Sequence, residues 1–354
     1  DLANTELLFN ELAPELKLRM EMSEEYGLDL RSRSDAQIAE AVINSELQKV
    51  LGYYPRKPTL AADLVLQYNA PDFISYRSQQ LRDMFEVVKG ARFYLDGLGS
   101  PIMPDEIDKL KVKIGSSVYK LGMGGLHSTE KKIAHKATDE IILADNDVES
   151  FYPRIILNQR LFPSHLGEAF LQVYNSIVET RIHAKGEAAK AKKAGDKASA
   201  KKWKTIADSL KITINGSFGK LGNKYSTLYA PQLMLQVTIT GQLVLLMLIE
   251  MLEDAGISVI SGNTDGIVSK YHKDRHNDVR AIIAEWEKRT NFKTEETRYS
   301  AVYSRDVNSY VAIKTDGGDE EARFLDERLG VKTKGAYCER GSALNSILSK
   351  NPEA

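Results

Sequence analysis

Between Gln232 and Ile249 the chain carries no charge, and polar side chains enter only at Gln236, Thr238, Thr240 and Gln242. Such a run has to be kept from water, and its scattered amides and hydroxyls mark a buried core helix and not a membrane span. Gly256 stands where the C-terminal cap of that helix belongs. A chain of 354 residues, 42% hydrophobic and 27% charged, has enough material to surround it, in one large core or in two or three domains. The net charge of −1 gives no global sign of a polyanionic partner, so any such surface depends on local clusters of Lys and Arg. The single cysteine, Cys338, excludes an internal disulfide framework and a multi-cysteine zinc site, and it suits a reducing cytoplasm. The sequence starts at Asp1 without a basic-then-apolar leader, as expected of a cut inside a longer polypeptide.

Three segments carry chemistry. "GISVISGNTDGIVSKY", residues 256 to 271, reads as two alternating apolar runs joined by a tight turn with a carboxylate at Asp265. Asn263 and Gly266 would suit a turn that needs positive φ, so the segment is either an ordinary hairpin or a hairpin that displays a metal ligand. In "DEIILADNDVESFYPRIIL" the apolar run Ile141 to Ala144 reads as a buried strand that ends in acidic residues and continues into a helix. Asp147 there is a helix N-cap or, with the carbonyl of Val148, a metal ligand. Residues 165 to 222 read as a helical hairpin with its tip at Gly195. In its second arm, "KITINGSFG" repeats Lys211, Asn215 and Gly219 every four residues, which puts all three on one helix face. Arg181 and Lys185, four apart on the first arm, would bring further cations alongside, as a polyphosphate site requires. The eight lysines between Lys185 and Lys204, against Glu187 and Asp196, read by themselves as a solvated face. Asp147 and Asp265, each at the edge of a sheet, could together hold two magnesium ions, the pair that phosphoryl transfer uses.

The remainder is plainer. Ser34 and Gln37 have capping-box spacing at the head of a helix that closes at Gly52, and Tyr54 to Pro104 reads as loops and short elements. Gly122, Gly124 and Gly125 form a sharply turning loop. A helix around "VRAIIAEWEKRT" precedes two β-like runs, "AVYSRDVNSYVAIKT" and "ARFLDERLGVKTKGAYCE", with the acidic turn "DGGDE" between them.

In this order the three segments resemble the motifs of the family B DNA polymerases, the kind carried by many phages. "DVESFYP" is similar to motif A, Asp-x-x-Ser-Leu-Tyr-Pro, with Phe151 in the Leu place. "KITINGSFG" is similar to motif B, Lys-x-x-x-Asn-Ser-x-Tyr-Gly, with Gly216 for Ser and Phe218 for Tyr. "GNTDG" is similar to motif C, Gly-Asp-Thr-Asp-Ser, with Asn263 for the first Asp and Gly266 for the Ser. The resemblance covers residues 118 to 340. It implies an α/β (α+β) fold: a palm of antiparallel sheet and helices, helical-hairpin fingers, and an extra N-terminal region.

The expected divisions are 1–117, without an assigned role; 118–164, palm with motif A; 165–222, fingers with motif B; 223–340, palm with motif C; and 341–354, the start of a thumb or tail. The resemblance implies that Asp147 and Asp265 are the catalytic metal-binding pair, with Val148 lending its carbonyl, for two Mg²⁺ ions that Mn²⁺ can replace. Tyr152 would pack under the incoming sugar and exclude a 2′-hydroxyl. Lys211, Asn215, Arg181 and Lys185 would bind the triphosphate, and Phe218 and Gly219 would line the nascent base pair. "GMGGLHS", with Gly124 and Gly125, resembles the loop that contacts the template, and "KTKGAY", with Lys332, Lys334 and Tyr337, resembles the Lys-x-Tyr motif that holds the primer terminus.

The implied activity is template-directed DNA synthesis on a primer 3′-hydroxyl. The implied partners are primer-template DNA and deoxynucleoside triphosphates, with no membrane. The enzyme would be a monomeric core served by accessory replication proteins in the cytoplasm, that of a bacterial host if phage-encoded. Asn263 supplies no charge, so a nucleic-acid-binding module without catalysis stands as an alternative, as does an RNA-synthesising or priming relative. Asn263→Asp is expected to retain or raise activity. No Asp-x-Glu occurs in residues 1 to 140, so no proofreading exonuclease is expected there, and the few residues after Tyr337 are too short for a full thumb.

Overall fold

The computed structural model describes residues 2–61, 63–315, 321–326 and 331–334. Two helices, α1 (Leu2–Tyr26) and α2 (Asp35–Leu51), precede a two-residue strand β1 (Leu66–Gln67), α3 (Gln79–Gly90) and β2 (Arg92–Phe93). After α4 (Asp105–Asp108) come β3 (Val112–Ile114), β4 (Ser117–Lys120), β5 (His127–Ser128), β6 (Lys131–Lys136) and β7 (Ile141–Val148). Four helices follow, α5 (Phe151–Asn158), α6 (Glu168–Lys193), α7 (Lys197–Leu221) and α8 (Pro231–Asp254). The described chain continues with β8 (Ser258–Asn263), β9 (Gly266–His272), α9 (His276–Thr290), β10 (Thr294–Asp306), β11 (Ser309–Lys314), β12 (Glu321–Asp326) and β13 (Val331–Lys334). The fold is α+β.

The elements divide into two compact units. One comprises Asp1–Leu66, Tyr94–Pro101 and Ile156–Met234; the other comprises Gln67–Phe93, Ile102–Ile155 and Leu235–Ala354.

The first unit is helical. Its α2 starts on the expected capping box, in which Ser34 N donates to Gln37 Oε1 at 2.9 Å and Gln37 N donates to Ser34 Oγ, and it ends on Gly52 at φ 77°. The α6–α7 hairpin turns at Gly195, φ 77°, and Asp196 caps α7 by accepting from Ser199 N. The N-terminal helices belong to the same unit as this hairpin, because α2 lies directly on α7. A Cβ on Gly216 would sit 2.5 Å from the Asp35 carbonyl and 2.9 Å from Ala39 Cβ, so only glycine admits α2 at this depth. The contact is sealed by Lys220, which pairs with Glu40 at 2.8 Å with both side chains largely buried. Burial pushes the Glu40 carboxyl up, but hydrogen bonds from Lys220, Ser226 and Thr227 outweigh it and hold the group below its ordinary value. Met22, Leu30, Ile38 and Val42 form an apolar cluster beneath, with Ile212 of α7 packed against it.

The second unit is built on an antiparallel sheet, ordered β13-β12-β11-β10-β7-β9-β8-β5-β4-β3 with β6 also paired to β10. The uncharged run seen in the sequence is α8, and 89% of its apolar stretch is buried. Gly262 of β8 faces Ile249 of α8 and the ring of Tyr119, so by strand alternation its neighbours Ser261 and Asn263 point to the other side of the sheet. Trp286 of α9 is fully buried and donates its indole N–H to the Val244 carbonyl at 3.0 Å. The stretch that reads as loops holds a full helix, α3, whose N-terminus rests on the core. Glu250 of α8 is 3% exposed and accepts from Arg77 N and Ser78 N at 2.8 Å each, a buried anion at a helix start.

Removing that carboxylate would leave two backbone donors poorly satisfied. Glu250→Ala is expected to destabilise the fold by about 1.5–3 kcal/mol in urea unfolding. A midpoint equal to the parent's would show that water replaces the carboxylate without cost.

Candidate active site

The strand that begins with the apolar run Ile141 to Ala144 runs on to Val148, so Asp145 and Asp147 belong to its pleat, carboxylates at its carboxyl end as expected. Asp147 is therefore not a helix N-cap. Alternation places Leu143, Asp145 and Asp147 on one face of β7. In register, Asp147 stands opposite Gly266 of β9 on one side and Glu295 of β10 on the other. Asp265 arrives at the same place from the β8–β9 turn, because Val148 N donates to the Asp265 carbonyl at 2.8 Å. Asp147, Asp265, Asn263 and Gly266 line one cleft of about 80 Å³, floored by the apolar cluster of Leu143, Ile260, Tyr299 and Val302.

The turn departs from the expected chemistry. Positive φ falls on Thr264, at 58°, and not on Asn263 or Gly266. A β-branched residue in that region is strained, and three contacts hold it. Thr264 N donates to the Leu126 carbonyl at 2.8 Å, Thr264 Oγ1 donates to Asn263 Oδ1 at 3.1 Å, and Asp265 N closes a three-residue turn onto the Asn263 carbonyl at 2.6 Å. Gly125 of the glycine loop, φ 128°, makes the room: a Cβ there would meet Thr264 Cγ2 at 3.0 Å. Gly124 is exposed, and a Cβ on it would meet nothing. Asn263 supports the turn with both ends of its amide, since Nδ2 donates to the Val307 carbonyl at 2.9 Å. Gly266 serves its neighbour, because a Cβ at this position would overlap Asp147 Oδ1.

Tyr152, at the start of α5, is half-buried. Its ring lies against Gly241 of α8, where a Cβ would stand 3.1 Å from Tyr152 Cε1. Phe151 beside it is wedged edge-on against Phe292 at 5.3 Å. Burial, and then the negative charge of Asp265, push the Tyr152 hydroxyl well above its ordinary range, so it stays protonated at neutral pH.

Two further acids line the cleft. Asp145, 9% exposed, accepts from the Tyr299 hydroxyl at 2.7 Å, and Glu130 accepts from Ser261 Oγ at 2.6 Å. Period-two alternation from Asp147 would have pointed to Asp145; no sequence signal pointed to Glu130. Among the described residues no group of three or more His, Cys, Asp or Glu is arranged to hold a metal. The oxygen donors of Asp147 and Asp265 fit Mg²⁺, which is commonly held by one or two carboxylates together with water and substrate phosphates.

In the helical unit, Lys211, Asn215 and Gly219 are all exposed on one face of α7, as the spacing requires, and Phe218 is half-buried beside them. His183 of α6 meets the ring of Trp203 of α7 edge-on at 5.5 Å, which fixes the level of the two arms. On that level Arg181 lies beside Thr205, about 9 Å along the hairpin from Lys211, whereas Lys185 lies beside Lys201, about 15 Å away. Arg181 is thus the nearer cation, and Lys185 belongs with the lysines of the hairpin end. Lys332 and Lys334 lie on β13, opposite Leu325 and Arg323 of β12. Tyr337 and residues 341–354 lie outside the described residues.

No family model and no curated protein matches this chain. Among solved structures it is similar to the family B DNA polymerase from the hyperthermophilic archaeon Pyrobaculum calidifontis, with a TM-score of 0.50 and 16% identity. The match covers 89% of this chain and 36% of that one, so the chain spans about a third of the length of that polymerase. At this identity the likeness is one of fold.

Gly266→Ala is expected to drive the Asp147 carboxylate from its position and to cost about 1–3 kcal/mol of stability by overpacking, measured by urea unfolding and by a crystal structure of the variant. An unmoved Asp147 would mean that the sheet absorbs the methyl elsewhere. The geometry also gives Asn263→Asp a cost in stability. A carboxylate would face the Val307 carbonyl without a proton to donate, so the variant should lose about 1–3 kcal/mol at neutral pH. The loss should be recovered as the pH falls toward about 4, where the protonated carboxyl can donate again.

Proposed function

We propose that this chain is the palm-and-fingers portion of a template-directed DNA polymerase, a nucleotidyltransferase that adds deoxynucleotides to a primer 3′-hydroxyl. The observation that carries the reading is the meeting of Asp147 and Asp265, far apart in sequence, in one cleft, with the half-buried Tyr152 close enough to feel the charge of Asp265. The likeness of fold to a family B polymerase supports it; the phage-type assignment rests on the motifs alone. Bound there, a pair of Mg²⁺ ions, or Mn²⁺ in their place, would polarise the attacking hydroxyl and neutralise the leaving pyrophosphate.

The chain's own residues do the rest. Asp147, at the end of the interior strand β7, and Asp265, in the β8–β9 turn, hold two carboxyl groups on a rigid frame, where little reorganisation accompanies the reaction. Asn263 fixes the turn, and Gly266 leaves the space that the Asp147 carboxylate occupies. The Tyr152 ring, backed by Gly241 and Phe151, presents a flat wall to a deoxyribose and leaves no room for a 2′-hydroxyl. Lys211, Asn215 and Arg181 bind the triphosphate as a charge-assisted set, with Lys185 further out. Phe218 and Gly219 line the base pair, Gly124 contacts the template, and the basic strand with Lys332 and Lys334 holds the primer end. DNA and deoxynucleoside triphosphates are the proposed partners, together with accessory replication proteins.

Primer extension tests this directly. Asp265→Asn is expected to lower extension by more than about two orders of magnitude while primer-template binding stays near the parent level. If the parent binds primer-template but adds no nucleotide with Mg²⁺ or Mn²⁺, the chain is a binding module. Equal use of ribonucleotides would refute the role given to Tyr152.

A further inference from the structure

Several helical lysines of the chain stand beside acids one turn away: Lys17 with Glu21, Lys49 with Glu46, Lys89 with Glu86 and Lys109 with Asp105. The end of the α6–α7 hairpin instead gathers lysines that lack such partners. Lys192, Lys193, Lys197, Lys201 and Lys204 are exposed, and none has an acidic partner among the described residues. Of the nearby acids, Glu187 pairs with Lys190 at 2.7 Å, Asp196 caps α7, and Asp208, one turn beyond Lys204, makes no ion pair with it. Lys197, Lys201 and Lys204 follow at helical spacing on a single face of α7, so their Cβ atoms stand about 5–6 Å apart and like charges are neighbours. A solvated face has no need of that arrangement; a regular polyanion relieves it.

A second feature lies in the same place. The chain has two tryptophans, and one of them, Trp286, is fully buried. The other, Trp203, is half-exposed at the same level of the hairpin, about 100° around α7 from Lys204, with the His183 ring against it edge-on at 5.5 Å and Lys202 Nζ over its face at 5.9 Å. An indole held on a cationic surface is the platform on which a nucleic-acid base stacks. The apolar side chains that a membrane surface would need are missing, since the hairpin end between Lys190 and Lys202 offers only alanine.

We propose that the end of this hairpin is a second nucleic-acid contact, in which a single strand runs its phosphates along Lys197, Lys201 and Lys204 and stacks a base on Trp203. The site goes beyond the nucleotide-addition reading and needs neither metal nor nucleoside triphosphate.

The test is binding of a fluorescein-labelled oligothymidylate to the full chain in the absence of metal, followed by anisotropy across a salt series. Lys197→Glu with Lys201→Glu should weaken binding at least about tenfold and flatten the log–log salt slope by about 0.7 for each lysine lost. The corresponding double Gln variant, which removes charge without reversing it, should fall between the two and keep the parent's circular dichroism. Oligothymidylate should quench Trp203 emission over the constant background of Trp286, and Trp203→Ala should abolish the quench. An unchanged salt slope in the Glu variant overturns the proposal, as does unquenched Trp203 at saturation. Equal affinity for polyglutamate would also overturn it, in favour of an acidic protein partner. Because no metal or nucleotide is present, failure of primer extension would bear on the catalytic reading and leave this measurement intact.

Discussion

The hydrogen bond from Val148 N to the Asp265 carbonyl is the fastening on which the cleft depends. It joins the end of one strand to the tip of a hairpin more than a hundred residues later, and it extends the β7–β9 register, in which Asp147 pairs with Gly266, by one further rung. Like charges held this close raise one another's energy, so the backbone has to impose the arrangement that the side chains resist. The sheet register does this. Asp147 is flanked in register on both sides, by Gly266 and Glu295, and Thr264 is pinned in a left-handed conformation through a donor, an acceptor and the absence of a Cβ at Gly125.

Three of the residues that depart from the motifs the sequence resembles have a local physical reason. Gly216 lets α2 sit against α7, Gly266 leaves room for the Asp147 carboxylate, and Asn263 bridges Thr264 and the Val307 carbonyl. A carboxylate at position 263 would add charge to a cleft that already holds Glu130, Asp145, Asp147 and Asp265, and it would lose a donor that the turn uses.

Local patterns made much of this legible in the sequence. The capping box at Ser34, the hairpin tip at Gly195, the uncharged helix before Gly256 and the stripe of Lys211, Asn215 and Gly219 all announce themselves through spacing within a few residues, and the structure has them there. What could not be read depends on partners distant in the chain. The α3 helix lies in a stretch punctuated by proline and glycine, and its N-terminus is satisfied by Glu250, far along the sequence. Glu130 reaches the cleft only because β5, just before it, pairs with β8. The strained residue of the turn was misjudged for the same reason: propensity favours positive φ at Asn or Gly, and tertiary contacts placed it on Thr264.

The packing of α2 on α7 sets an order on the birth of the molecule. About 150 residues separate the two helices, so at about 5–20 residues per second α2 waits roughly 8–30 seconds for its cover during synthesis. Through that interval Ile38, Val42 and Leu47, fully buried in the finished chain, have no α7 to meet. The helical unit is thus completed late, by a segment that also carries Lys211 and Asn215, so a nascent chain cannot have a finished N-terminal scaffold before its cationic helix exists.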